Sequence, residues 1–165
     1  MTNDAHLATC HQVLADKIRA LLAGAELKGC PMRITQSWRN MEVQAALYAQ
    51  GRDDLITVNG LRAGIGLSPI SSIENGATVT NAPPGDSMHN LMPSLAVDLC
   101  YAAGHPYKEN GHSLTWLQLG ELGEGLSLEW GGRWKGKKRD QPHFQWTGGL
   151  TLAQLKAGQH PPMSA

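Results

Sequence analysis

The chain has 165 residues, a length that fits one domain, and its 14 basic and 14 acidic residues cancel to no formal net charge. Because only 17% of the residues are charged, no broad basic face is expected, which argues against binding to nucleic acid or to an anionic membrane surface. The 41% hydrophobic content excludes general disorder. The three cysteines, Cys10, Cys30 and Cys100, form no C-x-x-C pair, which argues against a disulfide framework or a zinc ribbon.

The N-terminal half predicts, in chain order, a helix over 4–23 stopped by Gly24, a strand within 32–38, and a helix over 41–50 capped by Asn40. The first helix rests on apolar residues that recur at steps of three and four. Residues 53–86 carry many glycines and prolines and keep no period, so they are predicted to be the least structured part of the chain. A loop of this length in a compact domain is usually functional or mobile.

The C-terminal half predicts a strand over 95–101, a helix over 114–122 capped by Ser113, a strand over 143–146, and a helix that begins at Thr151 and ends at Gly158. Alternation places Leu95, Val97, Leu99 and Tyr101 on one face of the first strand, and Ala96, Asp98 and Cys100 on the other. In the second strand, His143 and Gln145 share a face. The pattern favours an α+β domain, with helices packed on a small antiparallel sheet.

Four residues stand out as candidates for metal chemistry. Hydrolytic zinc is held by three ligands drawn from His and carboxylate side chains, and a fourth position stays open for water. His89 and His143 each lie beside a predicted strand, and Asp98 is an isolated charge in an apolar run, where a carboxylate is costly without a partner or a metal. Asp140 precedes His143 by three residues, which suits a general base, although D-x-x-H alone is a weak signal and Asp98 also fits a structural role.

Several motifs in order carry a family resemblance over residues 30–158. They are Ser87-Met88-His89-Asn90, Ala96-Val97-Asp98-Leu99, Trp130-Gly131-Gly132-Arg133-Trp134 and Asp140-Gln141-Pro142-His143-Phe144, with Trp38-Arg39 and the segment 44–52 upstream and Leu155-Lys156-Ala157-Gly158 at the end. The set resembles the zinc D-alanyl-D-alanine carboxypeptidase and L-alanyl-D-glutamate endopeptidase family, which includes VanY-type enzymes and phage endolysins. The resemblance implies a single zinc peptidase domain over 1–165, with a fold like that of the hedgehog and D-Ala-D-Ala peptidase proteins.

The resemblance also implies a role for each matching position. It implies a Zn²⁺ ion bound by His89, Asp98 and His143. Asp140 matches the catalytic carboxylate, Arg39 the residue that steadies the substrate or the developing oxyanion, and Ser87 a serine that contacts substrate. Two alternatives stay open, since Arg39 also fits a solvated surface residue and Ser87 also fits a turn or cap.

The function that the resemblance implies is an endolysin that cleaves the L-Ala–D-Glu bond of the peptidoglycan stem peptide. A D-Ala-D-Ala carboxypeptidase of the same family is the nearest alternative, and a wall-binding module that keeps zinc only for structure is a second. We expect a monomer that binds neither nucleic acid nor membrane. Because the N-terminus shows no secretory signal, storage in the host cytoplasm and action on the wall after membrane breach are expected.

Two departures from the family pattern define questions for the structure. Asp98 follows His89 by nine residues where the family has seven, with Met92-Pro93 inserted and Ser94 in place of a glycine. Residues 53–73 also resemble an insertion, for which a lid over the cleft and a contact with glycan are both open. Among the other candidates, His6 and His11 are expected at the surface, and Cys100 is expected to act as a small apolar residue instead of a ligand.

Overall fold

A computed structural model describes residues 1–163, in which helices accompany one antiparallel sheet, and this confirms the predicted α+β class. The helices are α1 (Asn3–Leu7), α2 (Gln12–Leu27), α3 (Met41–Ala49), α4 (Leu55–Gly64), α5 (Ser72–Asn75), α6 (Trp116–Gly125) and α7 (Leu152–Lys156). The strands are β1 (Met32–Gln36), β2 (Ala96–Tyr101), β3 (Glu129–Trp130) and β4 (His143–Gln145), and short 3-10 helices cover Met88–Asn90, Gly131–Arg133 and Gly136–Lys138. Within the described residues, no helix is long and apolar enough to cross a membrane.

The sheet lies in the first of two compact units, which comprises Met1–Trp38 and the chain from Met92 onward. Its strands follow the order β1-β2-β4-β3, and all neighbours are antiparallel. Val97, Leu99 and Tyr101 of the inner strand β2 share the face that the alternation predicted, and this face joins the apolar core. Asp98 belongs to the opposite face and pairs in register with His143 of β4. The sheet therefore brings two predicted ligands together.

The sequence predicted one continuous helix over 4–23, and this is wrong. The helix is interrupted between α1 and α2. The N–H of Ser94 donates to the carbonyl of Thr9 at 2.9 Å, and the N–H of His11 donates to the carbonyl of Ser94 at 2.9 Å. Thr9 and His11 therefore pair with a distant segment, while the N–H groups of Thr9 and Cys10 still donate to carbonyls of α1. Ser94 is fully buried, so the residue that departs from the family glycine anchors the chain just before β2.

Two predicted helix boundaries are also wrong. Gly24 does not stop α2, because the buried Ala25 continues its apolar stripe, and the helix ends where Gly29 adopts a positive φ of 69°. Ser113 does not cap α6. Thr115 caps it, through a capping box with Gln118. The predicted cap Asn40 of α3 and the capping box of Thr151 with Gln154 in α7 are confirmed.

The second unit is Arg39–Leu91, and it contains two helices within the segment predicted to be least structured. The side chain of Asp54 accepts hydrogen bonds from the N–H groups of Ile56 and Thr57 and so caps α4. Ser71 forms a capping box with Glu74 that starts α5. The candidate insertion 53–73 is thus an ordered helical segment, and its role stays a prediction.

Candidate metal centre and active site

Asp98 and His143 form a pair across β2 and β4, in which His143 is buried and Asp98 is partly buried. Nδ1 of His143 lies 3.2 Å from Oδ1 of Asp98, and the two side chains are only 8% and 15% exposed. Burial of the imidazole lowers the pKa of His143, but the hydrogen bond and charge of Asp98, with help from Gln145 and the Asp140 carboxylate, outweigh it. The pKa of His143 therefore lies above its ordinary value, and the same negative surroundings favour a bound cation.

The other side of the His143 ring is held by residues of β4 and its neighbours. Nε2 of His143 lies 2.9 Å from Oε1 of Gln145, and the amide nitrogen of Gln145 donates to Oε2 of Glu129 at 2.8 Å. The indole N–H of Trp134 donates to the second oxygen of Glu129 at 2.8 Å, and its ring packs against His143 with centroids 4.9 Å apart. The shared face of His143 and Gln145 is confirmed, whereas Glu129 was missed because β3 is only two residues long.

Gly131 holds Asp140 close to His143. The N–H groups of Trp134 and Asp140 both donate to the carbonyl of Gly131, at 3.1 and 3.0 Å, and the N–H of His143 donates to the carbonyl of Asp140 at 3.3 Å. A Cβ atom at Gly131 would stand 2.5 Å from the carbonyl oxygen of Asp140 and 3.1 Å from Cβ of His143. Only glycine leaves room for this approach, so the Trp-Gly-Gly segment positions the candidate base.

His89 lies in the second unit, in the 3-10 helix Met88–Asn90, and its side chain is 2% exposed. Oγ of Ser87 accepts the N–H of His89 at 3.3 Å and so caps this short helix. Ser87 therefore has the cap role that the sequence left open. Its contact with substrate stays a prediction.

Arg39 is buried, so the alternative of a solvated surface arginine is wrong. Its N–H donates to the carbonyl of His89 at 2.8 Å, and the side-chain amide of Asn90 donates to the carbonyl of Arg39 at 3.1 Å. Nη1 of Arg39 donates to Oε1 of the fully buried Gln44 at 3.2 Å, which orients the guanidinium. The backbone of Arg39 is thereby tied to that of a candidate ligand.

One group of three residues in the part of the chain that the structure describes can hold a metal ion, and it is the predicted set. The ligand atoms of His89, Asp98 and His143 all lie within 4.8 Å of one another, so the nine-residue spacing does not separate them. The 3.2 Å between Nδ1 of His143 and Oδ1 of Asp98 is near the separation of about 3.3 Å expected for two ligands of a tetrahedral zinc ion. Two imidazoles and one carboxylate also match the donors of hydrolytic zinc, so the residues fit this metal.

Cys100, His112 and His11 do not belong to this group of candidate metal ligands. Cys100 is fully buried, and burial raises the pKa of its thiol, which fits the predicted role as a small apolar residue. The ring of His112 stacks on Tyr101 with centroids 3.8 Å apart. The expectation that His11 lies at the surface is wrong, since it is 6% exposed and packs against Trp146.

Comparisons with known proteins identify two similarities. A family profile described as D-alanyl-D-alanine carboxypeptidase matches residues 80–146, the segment that contains the three candidate ligands and Asp140. The chain is also similar to the peptidoglycan L-alanyl-D-glutamate endopeptidase CwlK of Bacillus subtilis (strain 168). The two proteins are 30% identical over an alignment of 144 residues that covers 82% of this chain and 72% of the relative.

Proposed function

Because the chain belongs to the family of D-alanyl-D-alanine carboxypeptidases and L-alanyl-D-glutamate endopeptidases, which are metallopeptidases, we propose that it hydrolyses the stem peptides of peptidoglycan. We assign the bond between L-Ala and D-Glu as the one it cleaves. The observation that carries this choice is the 30% identity to a relative named for that activity. The alignment with this relative covers 82% of the chain.

We assign His89, Asp98 and His143 as the residues that hold one Zn²⁺ ion. The proximity of their ligand atoms and their donor chemistry support this assignment. When bound, zinc lowers the pKa of a coordinated water toward about 7 and polarises the scissile carbonyl. The low exposure of the Asp98 and His143 side chains also limits competition from bulk water for the ligand atoms.

Asp140 is proposed as the general base that accepts a proton from the attacking water and returns it to the leaving amine. Its backbone is held by the carbonyl of Gly131, and its own carbonyl accepts the N–H of His143. The carboxylate therefore belongs to a residue that cannot drift from His143 without breaking two hydrogen bonds. A backbone held in this way supports the proposed role, because proton transfer needs the base within reach of the attacking water.

Arg39 is proposed to stabilise the negative charge that develops on the carbonyl oxygen. Its burial and its hydrogen bond to Gln44 support this role, because a preorganised charge shielded from water acts more strongly than a solvated one. Ser87 is proposed to contact substrate in addition to capping the helix that carries His89.

A D-Ala-D-Ala carboxypeptidase is the second candidate, because the matching family profile carries that description. Mass spectrometry of defined peptidoglycan fragments after digestion separates the two. Cleavage at L-Ala–D-Glu yields a fragment with D-Glu at its new N-terminus, whereas carboxypeptidase action removes one alanine from the C-terminus. A chelated sample serves as the control, and intact fragments with stoichiometric zinc in the protein would favour the non-catalytic wall-binding alternative.

We also propose an endolysin role, supported by the resemblance of the helix segment 44–52, the Trp-Gly-Gly segment and residues 155–158 to endolysin sequences. In this role the protein waits in the host cytoplasm as a monomer until the membrane is breached. Bacteria that express it should stay intact and should lyse when a membrane-permeabilising agent is added. Lysis without the agent would contradict the endolysin role and leave the peptidase assignment standing.

A further inference from the structure

A chain of hydrogen bonds leads from the metal centre to the protein surface. It runs from Nε2 of His143 to Oε1 of Gln145 at 2.9 Å, and from the amide nitrogen of Gln145 to Oε2 of Glu129 at 2.8 Å. Gln145 is buried and Glu129 is exposed. The mechanism proposed above uses neither residue.

The orientation of the Gln145 amide follows from its partner. A carboxylate only accepts hydrogen bonds, so the NH₂ group of Gln145 must face Glu129. The carbonyl oxygen of Gln145 then faces Nε2 of His143, and an oxygen that only accepts requires a proton on that nitrogen. Glu129 is itself held, because the indole N–H of Trp134 donates to its other oxygen at 2.8 Å.

We propose that Gln145, oriented by Glu129, is a positioning residue that keeps the proton of His143 on Nε2 and thereby makes Nδ1 the atom that binds the metal. The inference rests on the proposed metal assignment. It agrees with the geometry on the other side of the ring, where Nδ1 lies 3.2 Å from Oδ1 of Asp98. Two acceptors at this distance repel each other unless a proton or a metal cation lies between them.

The arrangement also accounts for the burial of a polar amide. Gln145 is 7% exposed, and an amide in such a place is costly unless both of its ends are paired. Here the carbonyl end is paired with the ligand histidine and the nitrogen end with a carboxylate whose charge is solvated. Partners of this kind fix ring orientation and raise the basicity of the ligand, and their loss typically weakens metal binding about 10- to 100-fold.

Zinc affinity, measured by competition with a chromophoric chelator, provides the first test. Gln145→Leu removes both hydrogen bonds and should raise the Kd for zinc about 10- to 100-fold. Glu129→Ala removes the group that orients Gln145, together with the acceptor of the Trp134 indole, and should raise the Kd by a smaller factor because Gln145 can still bond His143. Glu124→Ala is the matched control, because it deletes a carboxylate that bonds Arg133 outside this chain of hydrogen bonds, and it should stay within about twofold of the parent.

Long-range proton–nitrogen NMR of the zinc-loaded, ¹⁵N-labelled protein provides the second test. The His143 signals are assigned by their loss in His143→Gln. We expect Nε2 to carry the proton and Nδ1 to show the shift of a metal-bound nitrogen. The reverse pattern, or a parent-like Kd in both Gln145→Leu and Glu129→Ala, would overturn the inference.

These tests are separate from the proposed function. Coordination through Nδ1 in a protein that leaves stem peptides intact would sustain the inference and refute the peptidase assignment. Coordination through Nε2 in an active peptidase would refute the inference and sustain the peptidase assignment. If Gln145→Leu fails to fold, the zinc Kd of Glu129→Ala tests the inference instead, because this substitution lies at an exposed residue.

Discussion

Replacing Gly131 with alanine should separate Asp140 from His143. The new Cβ would stand 2.5 Å from the carbonyl oxygen of Asp140, and real Cβ atoms essentially never approach closer than 3.0 Å, so the segment must move by at least 0.5 Å. His143 and Trp134 leave no easy escape, since their atoms would lie 3.1 and 3.2 Å from the same Cβ. Overpacking of this kind costs about 1–3 kcal/mol of stability. If Asp140 is the proposed base, a shift of this size should lower kcat roughly 10- to 100-fold.

Urea unfolding, zinc content and hydrolysis of a defined stem peptide together test this reasoning. Gly125→Ala is the matched control, because a Cβ there meets nothing within 4 Å, and it should keep parent stability and rate. We expect Gly131→Ala to retain zinc while it loses stability and turnover, since the ligand side chains themselves are unchanged. A variant with the parent unfolding midpoint and the parent rate would refute the steric argument.

Three further predictions concern the site and its surroundings. Asp98→Ala should lose zinc and activity together, because two imidazoles bind the metal weakly, and elemental analysis that still finds equimolar zinc would exclude Asp98 as a ligand. Asp140→Asn should keep zinc and the fold but lose roughly 10²–10⁴-fold in kcat, and near-normal turnover would place the base elsewhere. Burial lowers the pKa of His11 below its ordinary value of 6.5, so the unfolded chain binds the proton more tightly, and the free energy of unfolding should fall as pH drops through about 6.5. His11→Gln should weaken this acid dependence in urea titrations at pH 7 and pH 5, and an unchanged dependence would contradict the role of His11.

Local signals in the sequence were sufficient for much of the fold. The alternation of β2 correctly placed Val97, Leu99 and Tyr101 on one face, which joins the core, and Asp98 on the other. Asn40 and the capping box of Thr151 with Gln154 marked helix starts, because a cap depends only on residues three positions apart. The caps Asp54 and Ser71 carried equally local signals, but the many glycines around them concealed the two helices.

Nonlocal pairing explains what the sequence did not reveal. The break between α1 and α2 depends on Ser94, which lies more than 80 residues further along the chain. The link from Gln145 to Glu129 joins two strands, and the shorter of them has no period to detect. The steric need for Gly131 depends on the carbonyl of Asp140, a contact that only the folded chain creates.

The carbonyl of Gly131 accepts hydrogen bonds from both ends of the loop between Trp134 and Asp140. Because the N–H groups of Trp134 and Asp140 end on one carbonyl, the entry and exit of this loop are fixed to each other, whatever lies between them. The residues between include four cations: Lys135, Lys137, Lys138 and Arg139. The length and charge of this loop can therefore change while Asp140 keeps its place. Under the proposed function, new loop sequences could adapt the protein to cell walls of different charge without moving the proposed base.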